Sequence, residues 1–87
     1  MEVYVLINTD SGMVYAVAEA MLRTKGVKAA HAVTGQFDVV AFAEFEDMAT
    51  FGEAIHLMQK IKGVRKTQSL MTIPWSLVEE PRRTITK

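Results

Sequence analysis

The chain has no cysteine, no excess of charge of either sign and no long apolar segment. The lack of cysteine excludes disulfides, thiolate chemistry and cysteine-ligated zinc. Its ten basic and ten acidic residues cancel, so no overall positive field would gather nucleic-acid phosphates, and direct nucleic-acid binding is disfavoured. The uncharged stretches fall far short of the roughly 20 residues that span a bilayer, so we predict no membrane span.

The beginning of the sequence also lacks a secretion signal. Met1-Glu2-Val3 is acidic and leads straight into a strand-like segment, without the basic start and the long apolar stretch of a signal peptide. We therefore expect a cytoplasmic protein. With 87 residues, of which 49% are apolar and 23% charged, the chain is large enough for one packed domain and too short for two.

The sequence repeats itself with an offset of 37 positions. At that offset Lys25-Gly26-Val27 matches Lys62-Gly63-Val64, and Asp10 matches Asp47. Each half has the same order: an apolar strand, an Asp, an amphipathic helix, Lys-Gly-Val and a second strand. The repeat predicts two structurally similar halves.

In the first half, the β-branched and apolar run at residues 3–7 predicts a strand. The next apolar residues recur at the spacing of one helix face; they are Val14, Val17, Ala18, Met21 and Leu22. We expect Asp10 or Ser11 to cap the start of this helix and Gly26 to end it.

The second half predicts the same elements again. Residues 39–45 form the strand, Asp47 is the expected N-cap and Gly63 the expected end of the helix. The apolar face of this helix is formed by Phe51, Ala54, Ile55, Met58 and Ile61.

Residues 34–38 join the halves, and Gly35 supplies the backbone freedom for a hairpin between strands at residues 29–33 and 39–45. The predicted fold is therefore α+β, a ferredoxin-like βαββαβ sandwich. It has a four-stranded antiparallel sheet with two helices on one face, since crossover connections are right-handed. The first and third strands are expected at its centre.

These two central strands are apolar at successive positions, residues 4–7 and 39–43. A strand with one face in water normally alternates apolar with polar residues, so both faces should be covered. The helices cover one face. Because a bare apolar sheet normally marks an interface, we predict a homodimer through the open sheet face, a dimeric α/β-barrel-like assembly that could extend to a ring.

The sequence offers little for catalysis. His31 and His56 are the two histidines and lack the spacing of metal ligands, so no metal or cofactor is predicted. We expect His31 at a sheet edge or interface and His56 on a helix surface. Residues 10–12 lack the pattern of a phosphate-binding loop, and the acidic residues between 44 and 47 are interpreted as a solvated strand end with a helix cap.

Two features favour ligand binding. The hairpin at residues 34–38 places Gly35, exposed backbone N–H groups and the Asp38 carboxylate in one loop, which could hold both a carboxylate and an ammonium. Thr67 and Ser69, two apart on the last strand, project from the same face and offer hydroxyls. The residues alone leave a simpler alternative open: a hairpin with its turn Asp, and an edge strand with polar residues outward.

These segments resemble the effector-binding domain of the leucine-responsive regulatory protein/AsnC (Lrp/AsnC) family, the RAM (regulation of amino-acid metabolism) domain. Residues 33–38, Val-Thr-Gly-Gln-Phe-Asp, are similar to the family's turn of Thr-Gly, two variable positions and Asp. Residues 61–69 are similar to its helix end with Gly-Val followed by Thr. The family's usual N-terminal helix-turn-helix does not precede the first strand, so the resemblance implies a stand-alone RAM domain at residues 1–73 with a C-terminal tail at 74–87.

The resemblance implies homodimers that join into a ring, with an amino-acid effector bound between neighbouring dimers. It also implies a role in transcription regulation through full-length Lrp/AsnC-type regulators, and no enzymatic activity or cofactor. Carried over by position, the ligand-binding residues are Gly35, Gln36, Phe37, Asp38, Thr67 and Ser69. The turn N–H groups would bind the α-carboxylate, and Asp38 or a strand hydroxyl would hold the α-ammonium.

Two other functions stay open at this point. Dimeric ferredoxin-like folds include cofactor-free monooxygenases and small isomerases, for which His31 or Tyr4 would be the residue to test. A purely structural oligomerisation domain is the other. In the tail, Trp75 could contact a neighbouring subunit, and residues 84–86 could form a short edge strand.

Overall fold

The computed structural model describes residues 1–73. The predicted βαββαβ order is confirmed, with elements β1 (Glu2–Thr9), α1 (Val14–Leu22), β2 (Val27–Ala32), β3 (Val39–Glu44), α2 (Met48–Gln59) and β4 (Val64–Met71). The expectations for Trp75 and for a strand at residues 84–86 lie outside the described residues.

The four strands form one antiparallel sheet in the order β2-β3-β1-β4, with β1 and β3 at its centre as predicted. Glu2 lies opposite Glu44, and Ile7 lies opposite Val39. On the other side of β1, Val5 lies opposite Ser69 and Ile7 opposite Thr67. Residues directly opposite one another share a sheet face, so this register decides which side chains meet.

Both helices cover the same face of the sheet and form the core with it. Alternate residues of β1 and β3 are fully buried there, and α1 and α2 contribute the residues that pack on them. The buried apolar set comprises Val3, Val5, Ile7, Val17, Met21, Val39, Ala41, Ala43, Phe45, Ala54 and Met58. Each large aliphatic side chain buried in this way contributes roughly 1.5–3 kcal/mol of transfer free energy.

The two helix starts differ. Asp47 caps α2 as predicted: its carboxylate accepts from Thr50 N at 2.9 Å, and Thr50 Oγ1 accepts from Asp47 N in return. The predicted cap of α1 at Asp10 or Ser11 is wrong. Met13 is the N-cap residue and makes no side-chain cap bond, because a turn through Gly12 at φ +80° separates Asp10 from the helix.

Asp10 instead contacts the segment before β4: its N–H donates to Gly63 O at 2.8 Å and its carboxylate lies 3.8 Å from Arg65 Nε.

The helix ends also differ from prediction. Gly26 and Gly63 lie three residues beyond the C-cap residues Arg23 and Lys60, where they lead into the next strand. Leu22, predicted on the buried stripe of α1, is 51% exposed.

The sheet face away from the helices, here called the open face, is covered by no described residue. Its central side chains are apolar, with Tyr4 and Leu70 42% and 45% exposed and the rings of Tyr4 and Phe42 5.1 Å apart. The open face consists of Ala29 and His31 from β2, Val40, Phe42 and Glu44 from β3, Glu2, Tyr4, Leu6 and Asn8 from β1, and Lys66, Gln68 and Leu70 from β4. Neither helix described is long and apolar enough to cross a membrane.

Candidate functional site

The loop between β2 and β3 closes over the end of β1. Val33 N donates to Asp38 O at 2.9 Å, which closes the hairpin, and Asp38 N donates to Ile7 O at 2.9 Å, which joins it to β1. Gly35 lies at the tip with φ +127°, a conformation that side-chain-bearing residues rarely adopt. The predicted loop residues therefore form one compact hairpin at this end of the sheet.

Asp38 is the half-buried anchor of this hairpin. Its Oδ2 accepts from Thr9 N at 2.9 Å and lies 3.5 Å from Thr9 Oγ1. One carboxylate oxygen of Asp38 therefore has a structural role in the turn, as in the simpler alternative given above. Oδ1 makes no hydrogen bond within residues 1–73, so it is available as an acceptor for a ligand.

Asn8 of β1 holds the tip of the hairpin in place. Its Nδ2 donates to Gln36 O at 2.8 Å, which holds the loop backbone against β1. Within residues 1–73 the amide N–H groups of residues 34–37 have no acceptor. The hairpin thus contains unpaired amide donors close in sequence to the unpaired oxygen of Asp38, and successive free N–H groups can bind anions.

Thr67 and Ser69 share one face of β4, as predicted, and that face is the one turned to the helices. Thr67 is half-buried opposite Ile7, and its hydroxyl accepts from Gln59 Nε2 of α2 at 3.3 Å. Ser69 lies opposite Val5 and is exposed. β4 is an edge strand, so both hydroxyls remain reachable from the side of the sheet.

The six predicted site residues fall into two groups on either side of β1. Ile7 lies between Val39, which follows Asp38, and Thr67. Two strand spacings amount to about 10 Å between the backbones of β3 and β4. The hairpin group and the β4 group therefore lie on opposite sides of β1.

Sequence reasoning missed three residues that organise these groups: Asn8, Thr9 and Gln59. Asn8 and Thr9 carry a usable signal, because they are the polar end of an otherwise apolar strand directly before Asp10. Gln59 carries no such sequence signal, since its contact with Thr67 depends on how α2 lies on β4.

The remaining polar candidates lie apart from the hairpin. His56 is exposed on α2, as expected, and His31 is on the open face of an edge strand. Tyr4 shares that face but belongs to a different cross-strand row from His31. A groove of about 330 Å³ between the loop that follows α1 and helix α2 is lined by Phe45, Ala54 and Leu57 among others. None of the predicted site residues lines it.

The chain is similar to a known family of ligand-binding domains. The model of the Lrp/AsnC ligand binding domain matches residues 2–80, nearly the whole chain. A comparison with curated proteins finds no match.

Solved structures show the same fold. TTHA0845 from Thermus thermophilus superposes with a TM-score of 0.79 at 26% identity, covering 84% of this chain and 92% of its own. The Neisseria meningitidis transcriptional regulator NMB0573, in complex with L-Met, gives 0.74 at 21% identity, covering 85% of this chain and 50% of the regulator. AsnC of E. coli gives 0.72 at 20% identity, covering 84% of this chain and 50% of AsnC. The chain spans about half the length of these two regulators.

Proposed function

Because this chain belongs to the Lrp/AsnC ligand-binding domain family, we propose that it is a regulatory domain that binds a free amino acid between its own subunits. It acts by binding, without chemistry of its own. The effector alters the assembly of the domain or its association with full-length Lrp/AsnC-type regulators, which carry the DNA-binding function.

The observation that carries this proposal is the pairing of free donors and a free acceptor in the β2–β3 hairpin. The unpaired N–H groups of residues 34–37 suit a carboxylate, and Asp38 Oδ1 suits an ammonium. An α-amino acid offers these two groups on one carbon. Charge-assisted hydrogen bonds of this kind are about twice as strong as neutral ones.

Self-association supplies the rest of the site. The hairpin group and the β4 group, Thr67 with Ser69, lie on opposite sides of β1 in one chain. A neighbouring copy that brings its β4 group to this hairpin would complete the pocket. The exposed apolar open face supports homodimers, and the dimers associate into a ring. The L-Met complex of the Neisseria regulator supports an amino acid as the ligand class.

A thermal-shift panel of the twenty amino acids tests the proposal. A ligand present at about 100 times its Kd adds about 2.7 kcal/mol to the stability of the folded state. For a domain of this size that shifts the unfolding midpoint by roughly 10 °C or more. At least one amino acid should produce such a shift, and a flat response across the panel contradicts amino-acid binding.

The substitution D38N tests the role of the carboxylate. Asn keeps an oxygen that can accept from Thr9 N, so the unliganded midpoint should stay near that of the wild type, while loss of the negative charge should abolish the ligand-induced shift. The matched control is E46Q, which removes one exposed carboxylate charge at the opposite end of the sheet and should keep the shift. Unchanged binding by D38N would remove Asp38 from the site.

A further inference from the structure

The groove between helix α2 and the loop that follows α1 is remote from the proposed ligand site. It lies at the end of the sheet opposite the β2–β3 hairpin and has a volume of about 330 Å³. Its apolar lining consists of Phe45 and Ala54, which are buried, and Leu57, which is 55% exposed. Binding sites are commonly concave, partly apolar spaces of this size.

Acidic side chains dominate the rim of this groove. Glu44, Glu46 and Glu53 line it and are exposed, whereas Lys25 is the one basic residue in the lining that the structure describes. Within residues 1–73 no ion pair involves any of the three glutamates. The groove therefore suits an occupant that combines apolar with positively charged side chains.

An exposed apolar patch, here called the base patch, lies at the same end of the sheet. It consists of Met1, Met48, Met71 and Ile73, all of them exposed. Met1 is joined to Phe45 of the groove, since Phe45 N donates to Met1 O at 2.9 Å. Met48 is the first residue of α2 and Met71 the last of β4. The base patch thus has members at the end of β4, at the start of α2 and beside the groove.

From this patch the chain continues into the C-terminal tail, residues 74–87, which has two unlike parts. Residues 74–80 are rich in large apolar side chains, including Trp75 and Leu77, and end in two glutamates. Residues 81–87 contain three basic residues and no acidic one. The tail therefore offers an apolar part next to the base patch and a basic part beyond it.

The strand register places the end of β4 close to the groove. Met71 and Ala43 both lie opposite Val3. Ile73 and Phe45 are two residues farther along these two segments, so they lie at about the same level of the sheet. The two segments are separated by β1, which makes the distance between their backbones about 10 Å.

The length of the tail decides which of its parts can enter the groove. An extended chain advances at most about 3.3–3.6 Å per residue. Trp75 is two residues beyond Ile73 and reaches about 7 Å, so it stays at the base patch. Arg82 is nine residues beyond Ile73 and reaches up to about 30 Å, enough to pass the start of α2 and enter the groove.

We propose that the tail folds back on its own chain, with its apolar part on the base patch and its basic part in the groove. Arg82 and Arg83 lie against Glu46 and Glu53, and the apolar lining at Leu57 is covered. The tail thereby shields apolar surface that residues 1–73 leave in water. This proposal does not depend on the amino-acid site, since the groove and the β2–β3 hairpin lie at opposite ends of the sheet.

The tail of the same chain is favoured over that of a second copy. It starts at the base patch, so its effective concentration at the groove is in the millimolar range that is typical of short flexible connections. A second copy at micromolar concentration competes poorly against it. Exposed ion pairs contribute little individually, so the tethering and the apolar contacts supply most of the affinity.

Trp75 is the one tryptophan of the chain and reports on the tail directly. Acrylamide quenching of its fluorescence measures its exposure in the whole chain. We expect less quenching than for free N-acetyltryptophanamide, and no change when the protein is diluted from micromolar to nanomolar concentration. Quenching equal to that of the free compound overturns the proposal. Shielding that is lost on dilution assigns the tail to a second copy and overturns it as well.

Substitution of Leu57 tests the groove as the location. L57S removes the exposed apolar side chain of the lining and should lower the ratio of docked to free tail about five- to tenfold, which raises the quenching of Trp75. Leu22 provides the matched control, because it is 51% exposed on α1 and does not line the groove. L22S should leave the quenching unchanged. Equal effects of the two variants place the tail elsewhere and contradict the proposal.

Charge reversal tests the contacts of the arginines. E46K/E53K and R82E/R83E should each lower the ratio of docked to free tail about two- to fivefold, and the combination of all four changes should restore the wild-type quenching. E19K reverses an exposed glutamate of α1 outside the groove and should have no effect. Loss without restoration in the combined variant overturns the placement of the basic part. The amino-acid thermal-shift panel is read independently, since its site lies at the other end of the sheet.

Discussion

Gly26, at the start of β2, combines a positive φ of +96° with a neighbour in close contact. A Cβ added there would lie 2.5 Å from Cε1 of Phe45, a core ring that also packs on Phe51. G26A should therefore lower the free energy of unfolding by about 1–2 kcal/mol, because alanine is strained in the left-handed conformation. Overpacking should lower it by about 1–3 kcal/mol more. Urea unfolding measures the loss as a lower midpoint.

Gly12 provides the matched control. Its φ is +80° and a Cβ would meet nothing within 4 Å, so G12A should show the conformational cost alone. If both variants lose the same free energy of unfolding, the ring of Phe45 moves aside and the packing argument for Gly26 is wrong.

At this scale, residues with strong local chemistry were predictable from the sequence. Asp47 is the predicted cap, and Thr67 and Ser69 share a face as expected. Asn8 was missed because its role depends on the hairpin returning to β1 from residue 36, twenty-eight positions away. Whether the six proposed site residues contact a ligand stays a prediction.

Among the elements, α2 has a pH-sensitive start. Hydrogen bonds from the backbone and hydroxyl of Thr50 lower the pKa of Asp47 below its ordinary value. A carboxylate with a lowered pKa in the folded state stabilises that state above its unfolded pKa, and the contribution disappears as the pH falls through the folded pKa. The cap of α2 therefore weakens in acid.

D47N tests this effect, because Asn can still accept from Thr50 N but does not titrate. When the pH is lowered from neutral to about 3, below the ordinary pKa of Asp, the unfolding midpoint of D47N should fall less than that of the wild type. D47A, which lacks any acceptor, should be less stable than D47N at neutral pH. Identical acid dependence of D47N and wild type would show that other groups dominate.

The elements themselves followed closely from sequence periodicity. The order of strands and helices is confirmed. It could be predicted because each half carries its own apolar pattern and its own Lys-Gly-Val signal. The predicted start of α1 was wrong because Asp, judged from the local sequence alone, is equally favourable as a helix cap and as a turn residue. Its contacts with Gly63 and Arg65, from the far end of the chain, select the turn.

For the whole molecule, the proposed self-association rests on the open face. Tyr4 lies at the centre of this face, against Phe42, whereas Tyr15 lies on α1 and is 79% exposed. Y4S should shift the protein toward monomer in light scattering at micromolar concentration, because it removes an aromatic side chain from the centre of the proposed interface. Y15S makes the same chemical change off the interface and should not. Equal behaviour of the two variants would place the interface elsewhere.

The pairing of β1 with β4 has a further consequence, for how the domain folds. The paired residues are 55 positions apart at Thr9 and Val64 and 68 apart at Val3 and Met71. Contacts this distant in sequence form slowly, since the chain entropy of closing the loop is lost before the contact is gained. During synthesis β1 can join β3 early, but its other edge stays unpaired until residues 64–71 have emerged. The nascent domain therefore passes through a stage with a free strand edge beside a bare apolar face, the combination most prone to misassembly between chains.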